Sequence, residues 1–381
     1  MCGLRVSNPQ LGAMPKVALV SLSVDRYFKE HPSTILGPRR EIHKLYLDGE
    51  LSYAEWIDLI RSYSETLQEL WLLFDTLSRD IVEAIGACTK LRHLQLNPLS
   101  GFSEYSQLEA ILRGASNVEY LEIFPHCDLT DETLSEISKL QRLKRLTVRG
   151  TTCASDEVLR KLGTISTLQY LGLNGFEPNA SVIRGLASLK NLRGLYLSYT
   201  PITLEHGLDS ECFDIICGSF ENLEELALDR LWNLTDADAV KLCRLKNLRE
   251  LSLEDASRFT DLTFKEGLGS PTLTELRIWW SLLTDAGLAS IASNHKMFRT
   301  ISLFHCHMVT DAGIIFLLER EPLLQKFNVR DCSSLRGRWL EALGNLCPRL
   351  GYLGALDHTS TDPGLSEFRV KRPGVSVQYG V

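Results

Sequence analysis

The chain has 381 residues, a formal net charge of −7 and 68 leucines, about 18 % of the whole within an apolar content of 44 %. That much leucine excludes a disordered chain, no run of about 20 apolar residues is present to cross a membrane, and the acid excess leaves no basic field to neutralise nucleic-acid phosphates. The length alone suggests two or three globular domains, but a leucine surplus in a long chain points first to repeats.

Residues 1–41 come first. Pro9, Pro15, Pro32 and Pro38 break any long helix there. The opening Met1-Cys2-Gly3-Leu4-Arg5 has no charged stretch leading into an apolar one, as a secretory leader needs. The segment reads as an N-terminal cap over the leucines that begin at residue 42, or as a docking segment. From residue 42 a six-residue pattern, Leu-x-x-Leu-x-Leu, recurs. Its first positions are Ile42, Leu67, Leu91, Val118, Leu143, Leu168, Leu192, Leu223, Leu248, Leu273, Phe298, Leu324 and Leu350. The steps are 25, 24, 27, 25, 25, 24, 31, 25, 25, 25, 26 and 26 residues, too regular for leucine chance.

The alternation within each pattern suits a short strand with one face buried. Between strands lie segments with helical spacing, many opening on a hydroxyl residue and an aspartate: Thr130-Asp131, Ser155-Asp156, Thr235-Asp236, Thr260-Asp261, Thr284-Asp285 and Thr310-Asp311. The hydroxyl accepts from free N–H groups at the helix start, and an aspartate in the first turn suits the positive end of the helix dipole. Each unit is therefore strand, loop, helix and return, and only stacking buries its leucines. The single long step, 192 to 223, inserts Glu205–Phe220 with Cys212 and Cys217, and reads as a longer outer helix. The tail, 357–381, reads as loop with Pro363-Gly364 and Pro373-Gly374. Its Val375-Ser376-Val377 alternation is placed to add a last edge strand, so the tail is assigned to capping. The expected domains are thus 1–41 cap or docking segment, 42–356 repeat domain and 357–381 C-terminal cap.

The pattern resembles the leucine-rich repeat family over residues 42–356. The 25- to 26-residue step and the Thr-Asp helix start are similar to the cysteine-containing subtype, typical of substrate-recognition subunits of F-box ubiquitin ligases. That subtype's ladder position, eight residues past the first leucine, is Cys306 and Cys332 in two late repeats and Thr151, Thr200, Ala256 or Ser281 elsewhere. The resemblance implies an α/β solenoid of about 13 repeats. It is a right-handed horseshoe with a parallel sheet on the concave face and helices on the convex face. It also implies a protein-binding rather than enzymatic role, and docking through a Skp1-like adaptor. An F-box opens near a Leu-Pro-x-Glu sequence, and residues 1–41 contain none.

The ten cysteines are scattered rather than clustered as end caps, which fits free thiols in a reducing, intracellular, cytoplasmic or nuclear compartment. There is no Gly-x-Ser-x-Gly, no phosphate-cradling glycine loop with a lysine and no His-Glu-x-x-His. His305-Cys306-His307 pairs metal-ligand types, but Cys306 occupies the ladder position and neighbours on an extended segment point apart. No catalytic residue, metal or cofactor is therefore expected.

Side chains alternate along a strand, so the third, fifth and seventh residues of each pattern face the concave surface. Early repeats place Tyr46, Trp71, Leu73, Tyr120 and Phe124 there, and middle repeats Arg145, Arg149, Tyr170 and Tyr196. Later repeats add Glu225, Asp229, Glu250, Glu254 and Glu275, then Arg277, Trp279, Phe304, Lys326 and Arg330. Exposed Trp, Tyr, Phe and Arg are the types enriched at binding hot spots. The acids on neighbouring rungs suit a basic segment of a protein partner. The candidate binding residues are Tyr46, Trp71, Tyr120, Phe124, Arg149, Tyr170, Tyr196, Asp229, Glu254, Trp279, Phe304 and Arg330. Two functions fit: substrate recognition within an SCF-type ubiquitin ligase, or a free-standing regulatory solenoid of inhibitor or GTPase-regulator type.

Overall fold

The computed structural model describes residues 21–24, 42–47, 52–74, 77–98, 105–124, 128–198, 207–355 and 363–379. Most of the 1–41 segment, ladder position Thr200 and the start of the long insertion at Glu205 lie outside the described residues. The chain packs as two compact units, Met1–Phe176 and Glu177–Val381.

The first unit holds strands β1 (Ser21–Val24), β2 (Lys44–Leu47), β3 (Glu69–Phe74), β4 (His93–Pro98), β5 (Tyr120–Ile123), β6 (Arg145–Arg149) and β7 (Tyr170–Asn174). Each pairs in parallel with the next in sequence. The second holds β8 (Gly194–Ser198), β9 (Glu225–Leu228), β10 (Glu250–Leu253), β11 (Glu275–Trp279), β12 (Thr300–Phe304), β13 (Lys326–Asn328), β14 (Tyr352–Ala355) and β15 (Ser376–Tyr379). These too are parallel neighbours in order. The register of the sheet is the register of the repeat: Leu251 pairs with Leu226 on one side and Leu276 on the other. All three are at most 1 % exposed, as are Leu45, Leu70, Leu94 and Leu121 in the first unit. Parallel strands need a crossover between them, and the helices between the patterns supply it. The result is an α/β leucine-rich repeat solenoid.

The outer segments are capped as the hydroxyl positions require. Ser52, Ser78, Thr130, Ser155, Thr284 and Thr310 each accept an N–H of the first helical turn. Asn179 and Asp209 do the same for the helices Ala180–Leu186 and Ser210–Ser219. The aspartates do more than answer the helix dipole, because they reach into the following repeat. Asp131 accepts from the Ser155 N–H, and Asp236 from both the N–H and the hydroxyl of Thr260. Asp261 does so for Thr284 and Asp285 for Thr310, at 2.6–2.8 Å. Asp311 accepts the N–H groups of Arg336 and Arg338. One repeat thus fastens the helix start of the next.

Two expectations need correction. The outer segments are not all α-helices: Asp236–Ala239 runs into a 3₁₀ turn at Val240–Arg244, and the next repeat has a π turn at Thr263–Gly267. The described part of the tail, residues 363–379, is not loop. Pro363–Lys371 is a helix with Leu365 and Phe368 buried, and Ser376–Tyr379 is the expected edge strand against β14. Proline is well placed at a first helical position, where its missing N–H is not needed. The N-terminal segment adds a strand of its own, β1 against β2.

The ladder position is buried throughout the described repeats. Thr151, Ala256, Cys306 and Cys332 are fully enclosed, and Ser281 nearly so. The Cys332 thiol lies 3.5 Å from the Leu303 carbonyl of the preceding repeat and the Cys306 thiol 3.5 Å from the Ser281 hydroxyl, so these side chains tie repeats together. The eight described cysteines are free. In the long insertion Cys212 and Cys217 are buried in the helix Ser210–Ser219, and burial pushes both thiols up to about 12.

Candidate protein-binding face

Opposite the buried leucines, each sheet presents the third, fifth and seventh residues of its repeats. All twelve candidate residues lie there. Tyr120 and Arg149 are exposed and the other ten half-buried.

In the first unit the aromatic residues meet. Tyr46 and Trp71 stack at 4.1 Å between centroids and 12° between planes, as the pairing of β2 with β3 places them. His93 continues the series, 4.6 Å from Trp71 and 5.8 Å from Tyr120. Burial pushes the His93 imidazole below its ordinary range, against the pull of Glu122 and Glu69. Arg149 lies over the Phe124 ring at 4.9 Å and Arg145 over Tyr170 at 4.0 Å. Such cation–π contacts hold the guanidinium groups over the ring faces.

In the second unit Tyr196 pairs across to Ala227 and does not join the other candidates by register. Asp229 accepts the Ser198 hydroxyl at 2.5 Å. Burial raises the Glu250 and Glu254 carboxyls, and the neighbouring Glu275 adds to the first, Asp229 and Asp255 to the second. Arg277 answers part of this charge, 2.5 Å from Glu275 and 3.7 Å from Glu250. Trp279 and Phe304 pack ring against ring at 4.1 Å. The fifth-position residues Ser252, Ser302 and Asn328 are buried although they face away from the leucines. Gly354 opposite Asn328 leaves it room: a Cβ there would come within 2.5 Å of the Asn328 Cγ. The indole N–H of Trp279, the Asn328 Oδ1 and the Arg330 Nε are buried without a hydrogen-bond partner. In the first unit the His93 Nε2 and Asn97 Oδ1 are in the same condition.

Sequence reasoning missed two features. It passed over β4 and so lost His93, although the same register puts it on this face. It also missed the corner that ends each strand. Gly150 and Gly175 take it with φ of 72° and 95°, and in five later repeats Arg230, Asp255, Trp280, His305 and Asp331 adopt the same left-handed conformation. Trp and Arg rarely accept that geometry. Trp280 stacks flat on His305 at 3.8 Å and 19°, and His305 stands 3.7 Å from the Asp331 carboxylate. The His305-Cys306-His307 segment is therefore turned rather than extended. It parts for a different reason from the one expected: Cys306 enters the core while both imidazoles face the corner. Among the described residues no three His, Cys, Asp or Glu side chains are placed to hold a metal, and no helix is long and apolar enough to cross a membrane.

No protein-family model matches the chain. A cattle (Bos taurus) relative, F-box/LRR-repeat protein 4, is 26 % identical over 174 residues, which are 44 % of this chain and 27 % of the relative. The chain thus spans about a quarter of that relative's length. Among solved structures, a chain of the yeast Rad7 and Elc1 complex superposes with a TM-score of 0.57 at 19 % identity, over 86 % of this chain and 88 % of that one. An internalin from Listeria monocytogenes has a TM-score of 0.46 and 14 % identity, over 88 % of this chain and 96 % of that one. With the Rad7–Elc1 fold shared along most of its length and a stretch of sequence like that of an F-box/LRR-repeat protein, the chain is a leucine-rich repeat protein resembling the F-box/LRR group.

Proposed function

We propose that this chain is a non-enzymatic receptor that binds a protein on the open face of its sheets, as the substrate-recognition part of an SCF-type ubiquitin ligase. One observation carries the binding reading. The open face displays paired aromatic side chains, Tyr46 with Trp71 and Trp279 with Phe304, that the leucine core does not need. Half-buried aromatic residues gathered on an open face in this way mark interaction surfaces. The ligase assignment draws on the likeness to F-box/LRR-repeat protein 4, and with it come a Skp1-like adaptor and a cytoplasmic or nuclear setting. The alternative is a free-standing regulatory protein of inhibitor or GTPase-regulator type with no ligase link.

Affinity capture of the tagged chain from cells tests both. Co-purification of a Skp1-like adaptor and a cullin is expected under the first reading. Repeated capture of another partner without either sinks it and leaves the second. The variant Trp279→Ala with Phe304→Ala is expected to keep its thermal transition and lose the captured partner. A variant that captures the partner as the parent does refutes the open face as the binding surface.

A further inference from the structure

The seventh position of five successive repeats in the second unit forms one row: Asp229, Glu254, Trp279, Phe304 and Arg330. Trp279 pairs with Phe304, and the register of β9 to β13 carried past the strand ends puts Asp229, Glu254 and Arg330 in the same row. The row runs from acid through aromatic to cation. We propose that it is the binding strip for an extended partner segment carrying a basic block, a central apolar side chain and an acidic block.

The strip deepens the protein-binding reading above and rests on it. Strands lie about 4.8 Å apart, so four gaps span about 19 Å, the length of roughly six extended residues. In the third-position row of the same repeats stand Glu225 and Glu250 at the acidic end and Lys326 at the cationic end, four residues along each repeat from the strip. Arg277, between the two ends, is already held by Glu275 and Glu250 and leaves the polarity in place. A partly buried carboxylate beside a second acid, as Glu254 is beside Asp229, gains from an incoming cation. In the middle, the Trp279–Phe304 pair offers an apolar shelf for one side chain.

A second observation is independent of charge. The Trp279 Nε1 is a buried donor with no acceptor, and Asn328, 9 % exposed, keeps its Oδ1 with no donor. Orphaned buried groups are costly. An extended backbone crossing the strip supplies what both lack, a carbonyl for the indole and an N–H for the amide. Arg330 has the same deficit at Nε, which an acidic side chain meets.

The test uses the whole chain and two labelled heptapeptides of identical composition, two lysines, a central leucine, two glycines and two glutamates. In one the charges form blocks at opposite ends; in the other they alternate. Fluorescence anisotropy should give the block peptide about tenfold tighter binding, weakened by salt. Glu254→Lys and Arg330→Glu should each reduce that preference. The double variant should restore it, because the peptide then lies in the opposite direction; a merely structural role for either residue gives no such recovery. Equal affinity for the two peptides, binding of neither, or a double variant that fails to recover overturns the strip. The wider protein-binding reading falls separately, if Trp279→Ala with Phe304→Ala leaves partner capture unchanged.

Discussion

Asp236 is the sharpest test of how the repeats are fastened. Its carboxylate accepts the Thr260 N–H at 2.9 Å, the Thr260 hydroxyl at 2.6 Å and the Thr263 hydroxyl. Thr263 is fully buried, so truncating Asp236→Ala strands a hydroxyl in the core as well as removing two charge-assisted bonds. A buried polar group left without its partner costs about 1–3 kcal/mol, and bonds to a charged group contribute about 1.5–3 kcal/mol each when shielded. Asp236 is half-exposed, so the lower ends apply and the expected loss is about 4 kcal/mol. Burial pushes this carboxyl up, but the hydrogen bonds from Thr260 and Thr263 outweigh it and hold it below the ordinary aspartate range. A folded-state pKa below the unfolded one means that the stabilisation is present above about pH 4 and is lost as pH falls through the folded value. Urea unfolding followed by circular dichroism, at pH 7 and at pH 3, should show a large difference between parent and variant that narrows in acid. A variant within about 0.5 kcal/mol of the parent at pH 7, the usual range for a surface change, refutes the inter-repeat fastening. So does a gap that stays constant down to pH 3.

Three further outcomes are expected. Leu251→Ala, at a site 1 % exposed, should cost about 2–5 kcal/mol in urea unfolding, and an unchanged midpoint contradicts its burial. Glu321 is fully enclosed, and burial raises its carboxyl to about 7 despite the Phe298 N–H donated to it. Because that lies above the unfolded value of about 4.3, its stabilisation is complete below about pH 4 and lost as pH rises through 7. Glu321→Gln keeps the acceptor and cannot ionise, so it should be the more stable at pH 8.5 by roughly 3–4 kcal/mol and level with the parent at pH 4; parallel pH profiles argue against this. At the corner residue Trp280, φ is 57°. There Trp280→Gly should be more stable than Trp280→Ala by about 1 kcal/mol, since glycine relieves left-handed strain that alanine retains. An alanine variant equal to or better than glycine contradicts the strain.

What periodicity can express, it expressed well. Leu226, Leu251 and Leu276 recur at a 25-residue step and do pair as neighbours in the sheet. The alternation that buries them also placed Trp279 and Phe304 on the accessible side. What escaped depends on contacts one repeat away. Asp236 reads locally as a helix-start acid, and only the approach of Thr260 turns it into a bridge. The helix Pro363–Lys371 opens on a Pro-Gly pair that signals a turn, and is held by burying Leu365 and Phe368. The left-handed corners carry Arg, Asp, Trp, His and Asp, side chains with no common chemistry, so only Gly150 and Gly175 hinted at the geometry. His93 was legible in the register and was passed over; its deficit of a hydrogen-bond partner was not.

The aspartate bridges also have a direction. The helix-start aspartates Asp236, Asp261, Asp285 and Asp311 each reach forward to the following repeat. Removing a repeat therefore uncaps the one after it and leaves the one before it capped. Fraying that begins on the N-terminal side of this run should spread toward Arg338, whereas loss of the C-terminal side should halt at the break. These aspartate caps depend on one another in one direction, and hydrogen exchange at the helix starts along residues 236–338 should be asymmetric about any disrupted bridge, with the loosened amides on the C-terminal side.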